Sequence, residues 1–418
     1  MKIFQIIFFF SLIINISCSA QQESTNQPIN SSTKIITAAE RTEVYLPLLK
    51  GKAVAVFANQ TSMVGNTHLV DTLLKRGVNI KKIFAPEHGF RGTADAGEHV
   101  NNLVDTKTGV PIISLYGSRQ KPSAEDLKDI DVILFDIQDV GVRFYTYISS
   151  LQYIMEAAFE NCKPMMILDR PNPNGFYVDG PVLDIKFKSF VGMQRVPVVY
   201  GMTIAEYAFM IAGEKWLSDS ANKRYAYYQH ADNSPDTPFH FQVIKCKNYI
   251  HKSRYALPVK PSPNLPNMQS VYLYPSICFF EGTVVSLGRG TDKPFQQFGN
   301  PFFPNNLYSF TPQNVEGAKN PPLLNQVCYG FDLSKINVAD EIGNHIQLKW
   351  LLKAYQMFPD KEKFFLSTNY INKLAGNDVL MQQIKDGKTE DEIRKSWEPG
   401  LSGFKKIRKK YLLYDDFE

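Results

Sequence analysis

Four short apolar runs, each stopping abruptly at polar side chains, limit what this chain can fold into. They span residues 53–58, 80–85, 131–136 and 165–169. Nearly continuous apolar strands belong to a parallel sheet covered on both faces. Helical periodicity fills the spaces between them. Residues 68–76 form one such segment, and residues 147–161 another, with Leu151, Ile154, Met155, Ala158 and Phe159 along one side. Strands alternating with helices specify an α/β fold built from βαβ units. In such sheets ligands bind beyond the carboxyl ends of the strands. The residues there are Asn59-Gln60-Thr61, Glu87-His88, Asp136-Ile137-Gln138-Asp139 and Asp169-Arg170-Pro171-Asn172.

The second strand end is the richest. Glu87 and His88 stand between an apolar strand and a loop carrying Gly89, Gly92 and Gly97, with Arg91, Asp95 and Glu98 supplying charge. Glycines let a loop turn tightly and approach a ligand closely. Plainer roles exist for some of these side chains. Asp136 and Asp169 can cap the next turn or helix, and Asp139 can pair with Arg143 across one helical turn. Glu87 lies on no helix face and has no comparable plain role.

The first domain is expected over 41–238 and includes a helix at 203–213 opened by a Thr203/Glu206 capping box. A smaller α+β domain follows at 239–418, with strands at 241–246 and 284–287 and helices at 344–357 and 389–397. Between them, residues 257–267 contain Pro258, Pro261, Pro263 and Pro266, which excludes helix and central strand alike. A rigid loop results, holding Lys260, Asn264 and Asn267 with little entropy left to lose on binding. Further on, Gly288-Arg289-Gly290-Thr291-Asp292 sets a cation and a carboxylate in a turn. Residues 1–20, with Lys2 ahead of an apolar run, read as a targeting segment ending either before Cys18, for lipidation, or after Ala20. Residues 21–40 are a polar tether. Cys162, Cys246, Cys278 and Cys328 lack C-x-x-C spacing and are expected as buried free thiols. A formal charge of +5, slight and dispersed along the chain, gives no argument for a nucleic-acid partner, and none is expected.

Neither G-x-G-x-x-G nor G-x-x-x-x-G-K-[ST] occurs, so no nucleotide cofactor is expected. H-E-x-x-H and G-x-S-x-G are absent too. His88 and His99 with Asp95 or Glu98 would suit a metal-dependent amino-sugar deacetylase or amidase, but no metal-ligand spacing supports them. A glycan-binding envelope lipoprotein without activity is the other alternative. What remains is carboxylate chemistry among amides, arginines and tyrosines, a setting suited to carbohydrate.

The motifs NQT (59–61), APEHGFRGTADAGE (85–98), FDIQDVGVRFYTYI (135–148), LDRPNPNG (168–175), VDGPVLD (178–184), LPVKPSPNLPN (257–267) and FEGTVVSLGRGTD (280–292) resemble the DUF1343 family. Its characterised members are exo-β-N-acetylmuramidases of the NamZ type. The resemblance implies a Rossmann-like domain joined to a second domain, with the active site in the cleft between them. It also implies release of N-acetylmuramic acid from the non-reducing ends of peptidoglycan fragments, in the periplasm or cell envelope, by a catalytic glutamate. That glutamate is expected to be Glu87, or else Glu98. The second group is either the sugar's own 2-acetamido group, oriented by Asp136 or Asp139, or one of those aspartates or Glu98 as nucleophile or base. Glu87 suits the acid role because apolar surroundings favour a neutral carboxyl. Asn59, Gln60, His88, Arg91, Gln138, Tyr145, Asp169, Asn172, Asn174 and Asn264 are expected to bind substrate. Arg143, Arg170 and Arg289 are the expected partners of the lactyl carboxylate, since guanidinium forks match carboxylates. Contact with a membrane is expected only through a lipid on Cys18.

Overall fold

Seven strands form the main sheet of the computed structural model, which describes residues 34–87, 89–91, 103–231 and 239–418. They are β1 (Ala53–Ala58), β2 (Asn79–Ala85), β3 (Leu103–Val104), β4 (Pro111–Ser114), β5 (Val132–Asp136), β6 (Met165–Leu168) and β7 (Phe241–Ile244). Their order is β3-β4-β2-β1-β5-β6-β7, parallel throughout except where the edge strand β3 runs against β4. The direction of winding therefore reverses between β1 and β5.

Alternation along β1 divides the core in two. Ala55 and Phe57 join the cluster containing Phe135 and the helix Tyr147–Glu160, whereas Val54, Val56 and Ala58 face the cluster containing the helix Leu69–Lys75. Phe57 and Phe135 stack with ring centroids 4.7 Å apart. Each such buried side chain contributes about 1.5–3 kcal/mol of transfer free energy. The first of the two clusters runs on without a break to Phe404, in the helix Glu390–Arg408.

The second region contains a three-stranded antiparallel sheet, β8 (Gln297–Asn300), β9 (Tyr308–Phe310) and β10 (Cys328–Asp332), in the order β8-β10-β9, with helices around it. The strand expected at 241–246 lies as β7 beside β6, in the main sheet. Residues 284–287 form no strand; single bridges tie Thr283 to Phe365 and Ser286 to Gly299. The helix expected from 344 begins at Lys349. The one opened by the Thr389/Glu392 capping box runs through Pro399 to Arg408, because burial of Ile393, Trp397 and Phe404 outweighs the missing hydrogen bond. The thiols of Cys246, Cys278 and Cys328 are buried and free; Cys162 is free but exposed at the end of its helix.

Candidate active site

At the carboxyl end of β2 the ladder stops at Pro86, which has no N–H to donate. A tight turn follows, in which the Gly89 amide donates to the Pro86 carbonyl at 3.0 Å and Gly89 has φ +73°. This turn sets Glu87, half-buried, at the wall of a cavity of about 920 Å³. That volume lies in the range that accommodates a small ligand. Thr146, the residue preceding the helix Tyr147–Glu160, donates through Oγ1 to Glu87 Oε2 at 3.0 Å. Tyr116, just beyond β4, also hydrogen-bonds Glu87; burial first, and then the Glu87 charge, pushes its phenol well above the ordinary range. Glu87 is thus aimed by one group just past the neighbouring strand β4 and by another at the start of the helix Tyr147–Glu160.

The proline-rich loop closes one side. Tyr145 and Tyr147 direct their hydroxyls to the Pro261 carbonyl, at 2.8 and 3.3 Å, and Gln60 Nε2 donates to the same oxygen at 3.1 Å. Asn59 Nδ2 in turn donates to the Tyr147 hydroxyl at 2.8 Å. Asn264 reaches across through Nδ2 to the Gly317 carbonyl at 2.9 Å and ties down the opposite lip. The second region completes the wall with Glu281, Arg289, Phe295 and Tyr370.

Of the residues expected at substrate, Glu87, Tyr145, Asn264 and Arg289 line this cavity. Most of the others lie in the interior and hold loops together. Asp136 is fully buried and forked by Arg170, with Nε to Oδ1 at 2.6 Å and Nη2 to Oδ2 at 2.8 Å. Asp139 accepts from the Tyr200 hydroxyl and from the Gly141 amide, and burial raises its carboxyl to about 6. Asp169 accepts from the Tyr414 hydroxyl at 2.6 Å and the Ala205 amide at 3.1 Å; burial raises it to about 7, with Glu206 adding to the effect. Arg143 is fully buried and donates to the carbonyls of Pro181, Val196 and Leu374, and burial pushes its guanidinium down to about 9. Gln138 bridges the carbonyls of Asp139 and Pro171, Asn172 bonds the Met202 carbonyl, and Asn174 bonds that of Val140. Arg91 forks Asp105 at 2.8 Å. Glu98, His88 and the alternative metal set with His99 and Asp95 lie outside the described residues.

Reasoning from the sequence missed Tyr116, Thr146, Glu281 and Tyr370. Glu281 carried a signal, being a lone carboxylate beside a glycine within an apolar stretch. Tyr370 carried none, since its place depends on packing between distant segments.

Comparisons with known proteins agree over nearly the whole chain. Residues 54–269 match the N-terminal model of exo-β-N-acetylmuramidase NamZ, and residues 272–414 its C-terminal model. The peptidoglycan β-N-acetylmuramidase NamZ of Bacillus subtilis is 36% identical over 95% of both chains. Crystal structures of two DUF1343 family proteins from Bacteroides fragilis are similar in fold. One is 46% identical, with a TM-score of 0.81 over 92% of this chain and 100% of its own. The other is 26% identical, with a TM-score of 0.75 over 91% and 99%.

Proposed function

Because the chain belongs to the exo-β-N-acetylmuramidase NamZ family, we propose that its cavity is the place where Glu87 releases N-acetylmuramic acid from the non-reducing ends of peptidoglycan fragments. The protein is a glycoside hydrolase acting on peptidoglycan. The observation that carries the residue assignment is Glu87 at a strand end on the cavity wall, aimed by Thr146 and Tyr116.

Glycoside hydrolysis needs a proton for the leaving oxygen and a second group at the anomeric carbon. Glu87 gives its proton to the glycosidic oxygen as the bond from that oxygen to C1 breaks. Among the described residues Asp136 and Asp139 are held in the interior, and the second task is assigned to the sugar itself: its 2-acetamido carbonyl oxygen bonds to C1. Water then attacks C1, yields a proton to Glu87, and returns the acetamido group to its starting form. Two displacements at C1 retain the anomeric configuration.

We further propose that residues 1–20 direct export to the periplasm or cell envelope, with Cys18 as the lipid attachment site. Metabolic labelling with a fatty acid tests this. Label on the wild type that disappears in Cys18→Ser supports an anchor, and no label on either supports release after Ala20.

The activity is tested with a chromogenic β-N-acetylmuramide and its N-acetylglucosamine counterpart. Release from the muramide, lost in Glu87→Gln, is the expected result. Undiminished release by the variant would move the acid elsewhere, with Glu98 next. Binding of muropeptides without turnover by the wild type would favour a carbohydrate-binding role.

A further inference from the structure

N-Acetylmuramic acid differs from N-acetylglucosamine only by a lactyl ether carrying a carboxylate, so an enzyme that tells them apart needs a cation in the right place. Two of the three arginines suited to that task are already engaged. Arg170 is spent on Asp136 and Arg143 on three carbonyls, both inside the protein. Among the described residues lining the cavity, the cations are Arg289 and Lys319.

Arg289 is built into the wall. It sits between Gly288 and Gly290, whose φ angles of +74° and +81° are costly for other residues. A Cβ on Gly290 would stand 2.4 Å from the Gln313 carbonyl oxygen, and one on Gly288 would stand 2.7 Å from Gln297 Cγ. The turn is therefore packed tightly on both sides of the arginine. The guanidinium lies over the Phe295 ring, 4.8 Å from its centroid, and forks Glu281 Oε1 through Nε at 3.1 Å and Nη2 at 2.5 Å. Both bonds use one edge of the guanidinium, and its donors are numerous enough to serve a second carboxylate through Nη1. Glu281 itself is fixed by a close approach. A Cβ on Gly282 would lie 2.5 Å from the backbone of Ile371, so the helix Tyr370–Ala375 presses directly on this segment and brings Tyr370 to the same wall. The Arg289 side chain keeps 21% of its surface exposed. Lys319, by contrast, is exposed on the surface, where screening weakens a single charge.

We infer that Arg289, oriented by Glu281 and Phe295, recognises the 3-O-lactyl carboxylate and thereby selects muramic acid over N-acetylglucosamine. Glu281 is a positioning residue: it holds the guanidinium edge-on, so that little side-chain entropy is lost when the substrate arrives. The inference rests on the proposed function of the cavity, and its test separates the two.

Full-length protein is assayed on a chromogenic β-N-acetylmuramide and on the same sugar with its lactyl carboxylate converted to the carboxamide. The wild type should prefer the acid in kcat/KM by about tenfold to a hundredfold, the range for a charge-assisted fork. Arg289→Ala should lower kcat/KM for the acid far more than for the amide, bringing the ratio towards one. Arg289→Lys, which keeps the charge but loses the fork, should fall between, and it decides the matter should the alanine variant fail to fold. A ratio that survives these substitutions, equal losses on both sugars, or a ratio abolished by Lys319→Ala instead would each overturn the inference. A wild type that cleaves both sugars without preference also counts against it, while the proposed activity stands. A wild type that cleaves neither counts against the function itself.

Discussion

Asp136 and Glu87 both follow apolar strands, yet they have opposite surroundings. Asp136 has no exposed surface and is saturated by Arg170, whereas Glu87 stands at a cavity wall where Thr146 and Tyr116 aim it. The difference extends to the regions around them. At the ends of β1, β5 and β6, Asn59, Gln138, Asp169, Asn172 and Asn174 are buried and bond to loop and helix groups of other segments. At the end of β2, and across from it at Glu281 and Arg289, charged groups face open volume. A polar strand end therefore marks either a site or the scaffold that braces one, and burial distinguishes the two.

Exchanging substitutions between the regions tests that distinction, beginning with the largest effect. Glu87→Gln should lower kcat by about a hundredfold to ten-thousandfold, the range for a general acid, with little change in melting temperature. Arg170→Ala should do the reverse. It strands Asp136 as an uncompensated buried charge and should cost about 3–5 kcal/mol in denaturant unfolding, while the protein still folded at low temperature turns over. Equal loss of activity per folded molecule in both variants would erase the contrast.

Asp139 gives the next largest effect, through pH. Its carboxyl is raised by burial to about 6, so the folded protein holds a proton that the unfolded chain releases near the ordinary aspartate value. Stability should accordingly fall as the pH rises from about 4 through 6, by about 3 kcal/mol in all, with no further loss from this group above that window. Asn can keep an acceptor towards Tyr200 and Gly141 without titrating. The stability of Asp139→Asn relative to wild type should thus increase between pH 4 and pH 7, and a difference independent of pH would argue against this account. The smallest effect is expected at the lip. Asn264→Ala removes the bond to the Gly317 carbonyl and should cost about 1 kcal/mol, read mainly as a raised KM.

Much of this was legible in the chain. The four apolar runs became β1, β2, β5 and β6 within a residue or so at each end, because side chains buried on both faces leave little freedom in pattern. The capping boxes at Thr203 and Thr389 opened helices as expected, being satisfied by residues three positions apart. The proline loop was irregular, for want of donors. Direction was harder to read than position. Arg143 and Arg289 are both flanked by motifs rich in glycine and polar residues, but one points into three carbonyls and the other into the cavity.

By itself, then, the sequence determined the parallel sheet, the ends of its strands and the family to which its motifs are similar, since these depend on residues close together in the chain. Tertiary structure alone decided which polar side chains face the cavity. The carbonyls that occupy Arg143, the Ile371 backbone that presses on Gly282 beside Glu281, and the loop that closes on Tyr145 come from segments far apart in sequence. Whether a charged group is braced or available depends on what those distant segments bring to it.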